Sequence, residues 1–294
     1  MKLFVSVDLE GVCGVVDERD TARDGPAARR ARDHLRADLD AVLEGCLAAG
    51  ADEVVVCDAH DDGRNLDPAG LPRRVTLVSG SPAPGSMFEG LGSGCDAALF
   101  VGYHARAGTA GAVLEHTWDH RIYEVRVGDL PVGEFGIAAL LAGHFAVPAV
   151  YLSGDDKVVA EARALVAGIA ATVVKTGIRR EVAAWHAPEE ARTRMRADVE
   201  AALRTPRKPA PLVWDGAPLR LTFTRVTYCD LAETCPGVVR LDGRTLEMSG
   251  ASFADVYRTF LACLRLAGSE GRAADAADAV PGVEACGTRR GMVN

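Results

Sequence analysis

The chain has 294 residues, of which 48% are hydrophobic and 25% charged, which is typical of a folded globular protein and excludes a disordered or collagen-like chain. Its 33 Lys and Arg against 41 Asp and Glu give a net charge of −8, so we expect no nucleic acid as a partner. No run of about 18 apolar residues occurs and no signal segment is evident, so we expect a cytoplasmic protein without a membrane partner.

Eight cysteines are spread along the chain, and no two of them form a C-x-x-C pair. Several lie among apolar neighbours, as Cys57 does after the run Val54–Val56 and as Cys263 does after Phe260. Small buried side chains in a reducing compartment explain this pattern better than disulfides or a cysteine zinc site. Metal ligands are therefore expected among other residue types.

The first half of the chain alternates short apolar runs with helical patterns. The predicted strands are 3–7, 53–57, 75–78, 96–101, 149–152 and 171–174, and the predicted helices are 26–49, 133–145 and 156–168. Apolar strands that alternate with helices are typical of an α/β fold with a mainly parallel, Rossmann-like sheet. The length leaves room for a second domain.

The pattern changes twice along the chain. Residues 122–132 form a predicted hairpin. After residue 175 we predict a charged helix, a proline-rich linker, a strand, a short helix, a hairpin and a final helix, ending near residue 266. These elements predict an α/β domain over residues 1–180, a smaller α+β domain over residues 181–267, and a flexible tail over residues 268–294.

Acidic and imidazole side chains directly follow three of the predicted strands. Asp8 and Glu10 end the first strand on one face, while His60 and His104 follow two others. The carboxyl ends of parallel strands meet at one edge of a sheet, where α/β proteins bind ligands. Oxygen and nitrogen donors together suit zinc, manganese or cobalt, and carboxylates can bridge two ions. A single histidine after a strand is usually a loop residue. Two carboxylates and two histidines at the same edge of a sheet, however, predict a metal site.

Other positions have both a functional and a structural interpretation. His116 could be a general acid, a general base or an oxyanion donor, or it could simply pack beside Trp118. Glu134 opens a helix, where an acidic side chain complements the helix dipole. Asp155 and Asp156 precede a helix, and N-capping explains them. The residues alone therefore leave His116 open and place the three acids outside the site.

A series of short motifs begins with Ser6-x-Asp8-x-Glu10-Gly11. It continues with Asp58-x-His60, Arg64-Asn65, Ser86-Met87-x-Glu89-Gly90, Gly102-Tyr103-His104, Ala107-Gly108-Thr109-Ala110-Gly111, His116-Thr117, Gly133-Glu134-x-Gly136 and Ser153-Gly154-Asp155-Asp156. In order and spacing these motifs resemble those of the zinc-dependent D-aminopeptidases, the dipeptide-transport-protein family of metallopeptidases. The resemblance runs from residue 3 to near residue 160 and, more loosely, to residue 267.

The resemblance implies a set of site residues and a function. The family's metal ligands fall on Asp8, Glu10, His60, His104 and Glu134. Its catalytic histidine falls on His116. It further implies two zinc ions per subunit that activate a water, short peptides with an N-terminal D-residue as substrates, and a ring-shaped homo-oligomer.

Two segments depart from the family pattern and leave the substrate preference open. They are Asp61–Gly63, in the loop after His60, and Trp118–His120. An L-aminopeptidase or amidase with the same metal site is one alternative, and a non-catalytic metal- or peptide-binding protein is another. A nucleotide-binding protein is disfavoured because the glycine run Gly90–Gly94 precedes a strand and does not open a helix.

Overall fold

The structure is a computed structural model that describes residues 1–81, 83–92 and 94–269. These residues form six α-helices and twelve β-strands. The helices are α1 (Pro26–Ala48), α2 (Glu134–His144), α3 (Asp156–Leu165), α4 (Pro188–Arg204), α5 (Val226–Ala232) and α6 (Phe253–Ala267). The strands are β1 (Lys2–Val7), β2 (Glu53–Asp58), β3 (Val75–Val78), β4 (Ala97–Tyr103), β5 (Ile122–Val127), β6 (Leu130–Pro131), β7 (Ala149–Asp155), β8 (Ala170–Arg179), β9 (Val182–Trp185), β10 (Leu219–Phe223), β11 (Val238–Arg240) and β12 (Thr245–Met248).

Seven strands form the larger sheet, in the order β3-β2-β1-β4-β7-β8-β9. All pairings are parallel except that of the edge strand β9 with β8. From β1 the chain adds β2 and then β3 on one side of the sheet. It then crosses back, and β4 pairs with the other side of β1. The strand order therefore reverses between β1 and β4, and such a point is where open α/β sheets bind ligands. The predicted α/β fold with a mainly parallel sheet is confirmed.

Side chains of the central strands alternate between two apolar layers. Leu3, Val5 and Val7 of β1 pack in the layer that contains apolar residues of α1 and α4. Phe4, from the same strand, packs in the layer that contains α2, α6 and the second sheet. Both faces of the sheet are thus covered, which explains why its strands are continuously apolar.

The second sheet is antiparallel and has the order β11-β12-β10-β5-β6. Its strand β10 pairs with β12 on one side and with β5 on the other, for example Leu221 with Val125. The sheet therefore combines strands from both sides of residue 180. The domain division at that residue stays a prediction, and the second sheet is completed only by the hairpin at residues 122–131.

Some element boundaries differ from the predicted ones. Strand β8 continues to Arg179, five residues beyond the predicted end. The chain then turns back and forms β9, an antiparallel edge strand that was not predicted. Helix α4 begins at Pro188, a residue that is favourable in the first turn because it has no N–H to leave unpaired. The N-cap interpretation of Asp155 is confirmed, since its carboxylate accepts hydrogen bonds from the N–H groups of Lys157 and Val158.

The cysteines of the described residues are all free and buried. This confirms their interpretation as small core side chains, while Cys286 lies outside the described residues. The predicted tail over 268–294 also lies outside them from residue 270 onward. Within the described part of the chain, no helix combines the length and apolar character needed to cross a bilayer.

Candidate metal centre

The structure brings all six predicted site residues to one edge of the larger sheet. Asp8 and Glu10 directly follow β1, His60 follows β2, and His104 follows β4. Glu134 is the first residue of α2, which positions it over the same edge. The four residues Asp8, Glu10, His104 and Glu134 are each at most 5% exposed. His116, from the loop before β5, completes the group.

Asp8 lies at the centre of this cluster and faces two sets of partners. Its Oδ1 is 3.3 Å from His60 Nδ1, which is also 3.2 Å from Glu10 Oε2. Its Oδ2 is 3.4 Å from His104 Nε2, which is also 3.4 Å from Glu134 Oε2. One carboxylate therefore joins a first set with Glu10 and His60 to a second set with His104 and Glu134.

Backbone carbonyls fix the orientation of the His60 and His104 imidazoles. His60 Nε2 contacts the Thr21 carbonyl (3.1 Å), and His104 Nδ1 contacts the Ala105 carbonyl (3.0 Å). A carbonyl can only accept, so these nitrogens carry the hydrogens, and the other nitrogen of each ring faces the cluster. This is the arrangement in which a histidine presents a lone pair to a metal once it is deprotonated.

Charges in the cluster shift the pKa values of its members in opposite directions. Burial raises the pKa of Asp8, but the nearby imidazoles of His104 and His60 outweigh burial and hold it well below its usual range. Burial lowers the pKa of His60 and His104, but the neighbouring carboxylates raise both pKa values well above the ordinary one. Each of these shifts favours the charged form of its group.

The donor atoms fit a zinc ion. Three of them are buried without a hydrogen-bond partner, namely Asp8 Oδ2, Glu10 Oε2 and His104 Nε2, and buried polar atoms are rarely left in this way. Two donors that each lie about 2.0–2.1 Å from a tetrahedral ion are roughly 3.3–3.4 Å apart. The separations of 3.2 to 3.4 Å in this cluster agree with that spacing.

His116 belongs to the same cluster but has a looser place in it. Its ring stacks on that of His104, with the centroids 4.0 Å apart, and its Nδ1 donates to the Leu114 carbonyl (2.9 Å). Its Nε2 is 3.9 Å from Glu134 Oε1. The nitrogens of His116 and His104 and an oxygen of Glu134 lie within 4.8 Å of one another, so His116 could also contribute to a metal site.

Two glycines let the strand ends approach closely enough to form the cluster. A Cβ at Gly11 would lie 2.0 Å from the Tyr103 carbonyl oxygen, and a Cβ at Gly102 would lie 2.2 Å from the Asp8 carbonyl oxygen. Gly102 also has φ = +70°, a conformation that favours glycine. The glycines of both strand-end motifs therefore allow β1 and β4 to meet beside the candidate ligands.

Buried polar contacts support the loop that carries His60. The carboxylate of Asp58 accepts hydrogen bonds from the N–H groups of Asn65 (2.6 Å) and Leu66 (2.9 Å) and from the Asn65 side chain. The Asn65 amide also donates to the His60 carbonyl at 2.7 Å. The Asp58 carboxylate therefore supports the loop and is not directed at the candidate ligands, although Asp58 precedes His60 by only two residues.

Lys175 is a buried group near the site that the sequence patterns did not identify. Its ammonium donates to three carbonyls of the segment that follows β1, those of Glu10 (2.5 Å), Val12 (3.0 Å) and Val15 (2.6 Å). Burial lowers the pKa of Lys175 to about 8, because nearby acidic groups, Asp155 foremost, only partly compensate the loss of water. A lysine within the apolar strand β8 was the available signal.

The cluster opens into a cavity of about 440 Å³. Its walls include the apolar side chains of Met87 and Trp118 and the charged residues Glu18, Asp61 and Arg180. Trp118 has φ = +64°, and its N–H donates to Glu134 Oε1 at 2.6 Å, which holds the other oxygen toward His104. The cavity therefore exposes the candidate ligands to a small molecule with both apolar and polar parts.

Known proteins of one family are similar to this chain over most of its length. The sequence model of the family described as peptidase M55, D-aminopeptidase, matches residues 1–262. The D-aminopeptidase of Bacillus subtilis (strain 168) is 30% identical over 269 residues, which cover 91% of this chain and 98% of the relative. The solved structure described as the Zn-dependent D-aminopeptidase DppA from Bacillus subtilis, a self-compartmentalizing protease, is similar with a TM-score of 0.88 at 30% identity and the same coverage of both chains.

Proposed function

Because the chain belongs to the peptidase M55 family of D-aminopeptidases, we propose that it is a zinc-dependent aminopeptidase that removes N-terminal D-residues from short peptides. The observation that carries this proposal is the pair of ligand sets that share Asp8. The match covers nearly the whole chain, and the similar solved structure is described as Zn-dependent.

Two zinc ions per subunit are the proposed cofactor. Asp8, Glu10 and His60 would hold one ion, and Asp8, His104 and Glu134 the other. When bound, such ions supply Lewis-acid chemistry, which polarises the scissile carbonyl and makes a water acidic enough to attack near neutral pH. The buried carboxylates keep a negative charge for the ions, and the carbonyl contacts of both histidines keep their rings in place.

His116 is the proposed catalytic residue. Its Nδ1–H is held by the Leu114 carbonyl, so its Nε2 can carry or release a proton on the side of Glu134. In the protonated form Nε2–H would stabilise the tetrahedral intermediate or donate its proton to the leaving amine. Stacking on His104 keeps the ring beside the ligands.

The similar solved structure is described as a self-compartmentalizing protease. We extend this to the present chain as a homo-oligomer, with a ring-shaped assembly that limits access to short peptides. Sedimentation of the purified protein measures the assembly directly, and a monomer at working concentration would contradict this part of the proposal.

The decisive experiment combines zinc analysis with paired D- and L-alanyl p-nitroanilides. We expect the wild-type protein to bind two zinc ions and to hydrolyse the D-substrate. His60→Ala and His104→Ala each remove a ligand, so we expect loss of zinc from the corresponding set and loss of activity, with the far-UV circular dichroism unchanged. Full hydrolysis by both variants would contradict the site.

His116→Ala separates the proposed roles of the histidines. We expect this variant to keep two zinc ions and to lose turnover by a factor of about 10²–10⁴, as for the removal of a general acid. Loss of zinc would make His116 a ligand. Preference for the L-substrate would favour an L-aminopeptidase or amidase that uses the same site, and zinc binding without any turnover would favour a non-catalytic protein.

A further inference from the structure

A second cavity, of about 570 Å³, opens beside His116. His116 lines both this cavity and the one above the ligand cluster, so the two meet at the proposed catalytic residue. The second cavity contains Arg106, two positions after the candidate ligand His104. Two residues of chain span at most about 7 Å, so the Arg106 backbone lies close to the cluster.

The backbone of Arg106 is held firmly. Its N–H donates to Glu161 Oε2 (3.0 Å), and the other carboxylate oxygen of Glu161 is buried. A Cβ at Gly133 would lie 2.7 Å from the Arg106 Cβ, so the absence of a side chain there lets Arg106 pack against the start of α2. The position of this arginine is thus tied to the helix that carries Glu134.

The carboxylates around the second cavity are already paired. Glu18 pairs with Arg180 (2.8 Å), Glu124 pairs with Arg126 (3.2 Å), and Glu115 accepts the N–H of Gly108 (2.7 Å). In the described part of the chain, no ion pair includes Arg106. Its guanidinium makes one hydrogen bond, at 3.3 Å, to the neighbouring Ala107 carbonyl. Arg106 therefore presents a positive charge whose hydrogen-bond donors are mostly free.

We propose that Arg106 binds the C-terminal carboxylate of the substrate and so makes peptides with a free C-terminus better substrates than their amides. This inference rests on the proposed peptidase function. In a dipeptide the carboxylate lies one residue beyond the scissile bond, roughly 3–4 Å along the chain. A guanidinium matches a carboxylate with two parallel hydrogen bonds, which a primary amide cannot accept in the same way.

The test compares D-alanyl-D-alanine with D-alanyl-D-alanine amide, which differ in the terminal charge. We expect the wild-type enzyme to hydrolyse the free acid with the higher kcat/KM. Arg106→Gln should lower kcat/KM for the acid by a factor of about 10–100, mainly through KM, and leave the amide within about twofold. Arg106→Lys keeps the charge and should restore part of the loss.

Arg163→Gln is the matched control, because Arg163 is exposed on α3, the helix that also carries Glu161. We expect this variant to equal the wild type on both substrates. If Arg106 only compensates the charge of Glu161, Arg106→Gln will lower stability and affect both substrates equally, which overturns the proposal. Equal hydrolysis of acid and amide by the wild type also overturns it. Hydrolysis of neither substrate would instead count against the proposed function.

Discussion

Single glycines determine how close the strand ends come at the candidate metal centre. Gly11 and Gly102 each lie where an added methyl group would overlap a backbone carbonyl of the neighbouring strand end. Backbone atoms cannot move aside as a flexible side chain can, so the overlap would separate Asp8 from His104. The positive φ of Gly102 adds a conformational cost of roughly 1–2 kcal/mol for any other residue.

Gly102→Ala should therefore disrupt the site more than a typical glycine substitution. We expect a loss of several kcal/mol in the free energy of unfolding together with loss of zinc, because Asp8 is displaced. Urea unfolding and zinc analysis measure the two effects. The control is Gly92→Ala, since a Cβ at Gly92 meets no atom within 4 Å and φ is not positive there. Similar stability of the two variants would show that the close approach is not required.

At the scale of elements, a buried ion pair joins α1 to α4 behind the sheet. Asp38 of α1 is 1% exposed and lies 2.9 Å from Arg192 of α4. The other carboxylate oxygen of Asp38 accepts the N–H of Cys13, in the segment that follows β1. Burial raises the pKa of Asp38 in spite of Arg192, which means that the loss of water disfavours the charged carboxylate. Removal of either partner would therefore leave the other charge buried without compensation.

Asp38→Ala should lower the free energy of unfolding by about 3–5 kcal/mol, because it leaves Arg192 without its buried partner. The matched control is Glu44→Ala, which removes an ion pair between the same two helices. Glu44 and Arg196 are 60% and 55% exposed, so its loss should cost at most about 1 kcal/mol. Thermal and urea unfolding measure both. An equal effect of the two substitutions would show that burial does not distinguish the pairs.

At the scale of the whole molecule, the fold buries the thiols of the described residues and so protects them from reaction with reagents in water. The seven cysteines of the described residues are buried. Burial raises the pKa of Cys46, Cys57 and Cys263 to about 12, so these side chains are not thiolates at pH 8.

A Cys286→Ser variant removes the cysteine outside the described residues and so tests the burial of the others. We expect fewer than one thiol per native chain to react with a thiol reagent at pH 8, and seven to react after denaturation. Mass spectrometry of the labelled protein counts them. Rapid labelling of two or more thiols in the native state would contradict the packing.

Local patterns predicted most of the larger sheet, because its central strands are buried on both faces and are therefore continuously apolar. The four residues Asp8, Glu10, His60 and His104 could be placed at one edge, since parallel strands end together. The antiparallel strand β9 was not predicted, because it has only four residues and they are mostly exposed at the edge of the sheet. The pairing of β10 with β5 depends on contacts between distant segments, which periodicity cannot indicate.

The helix start at Glu134 shows the limit of reasoning from single residues. An acidic residue in a first turn has an adequate explanation in the helix dipole, so chemistry alone gave no reason to include it. Resemblance to the family supplied that reason, and the structure places its carboxylate 3.4 Å from His104. Lys175 lies in no comparable motif. Its contact with the segment after β1 became evident only from the structure, in which its ammonium donates to three carbonyls of that segment.

The spread of the candidate ligands along the chain, from residue 8 to residue 134, has a consequence for biosynthesis. Ribosomes add about 5–20 residues per second, so Glu134 is made roughly 6–25 seconds after Asp8. Until then the nascent chain can offer only Asp8, Glu10, His60 and His104, without the helix that brings Glu134 over the edge of the sheet. The synthesis of α2 therefore sets the earliest moment at which a growing chain could acquire its full complement of metal.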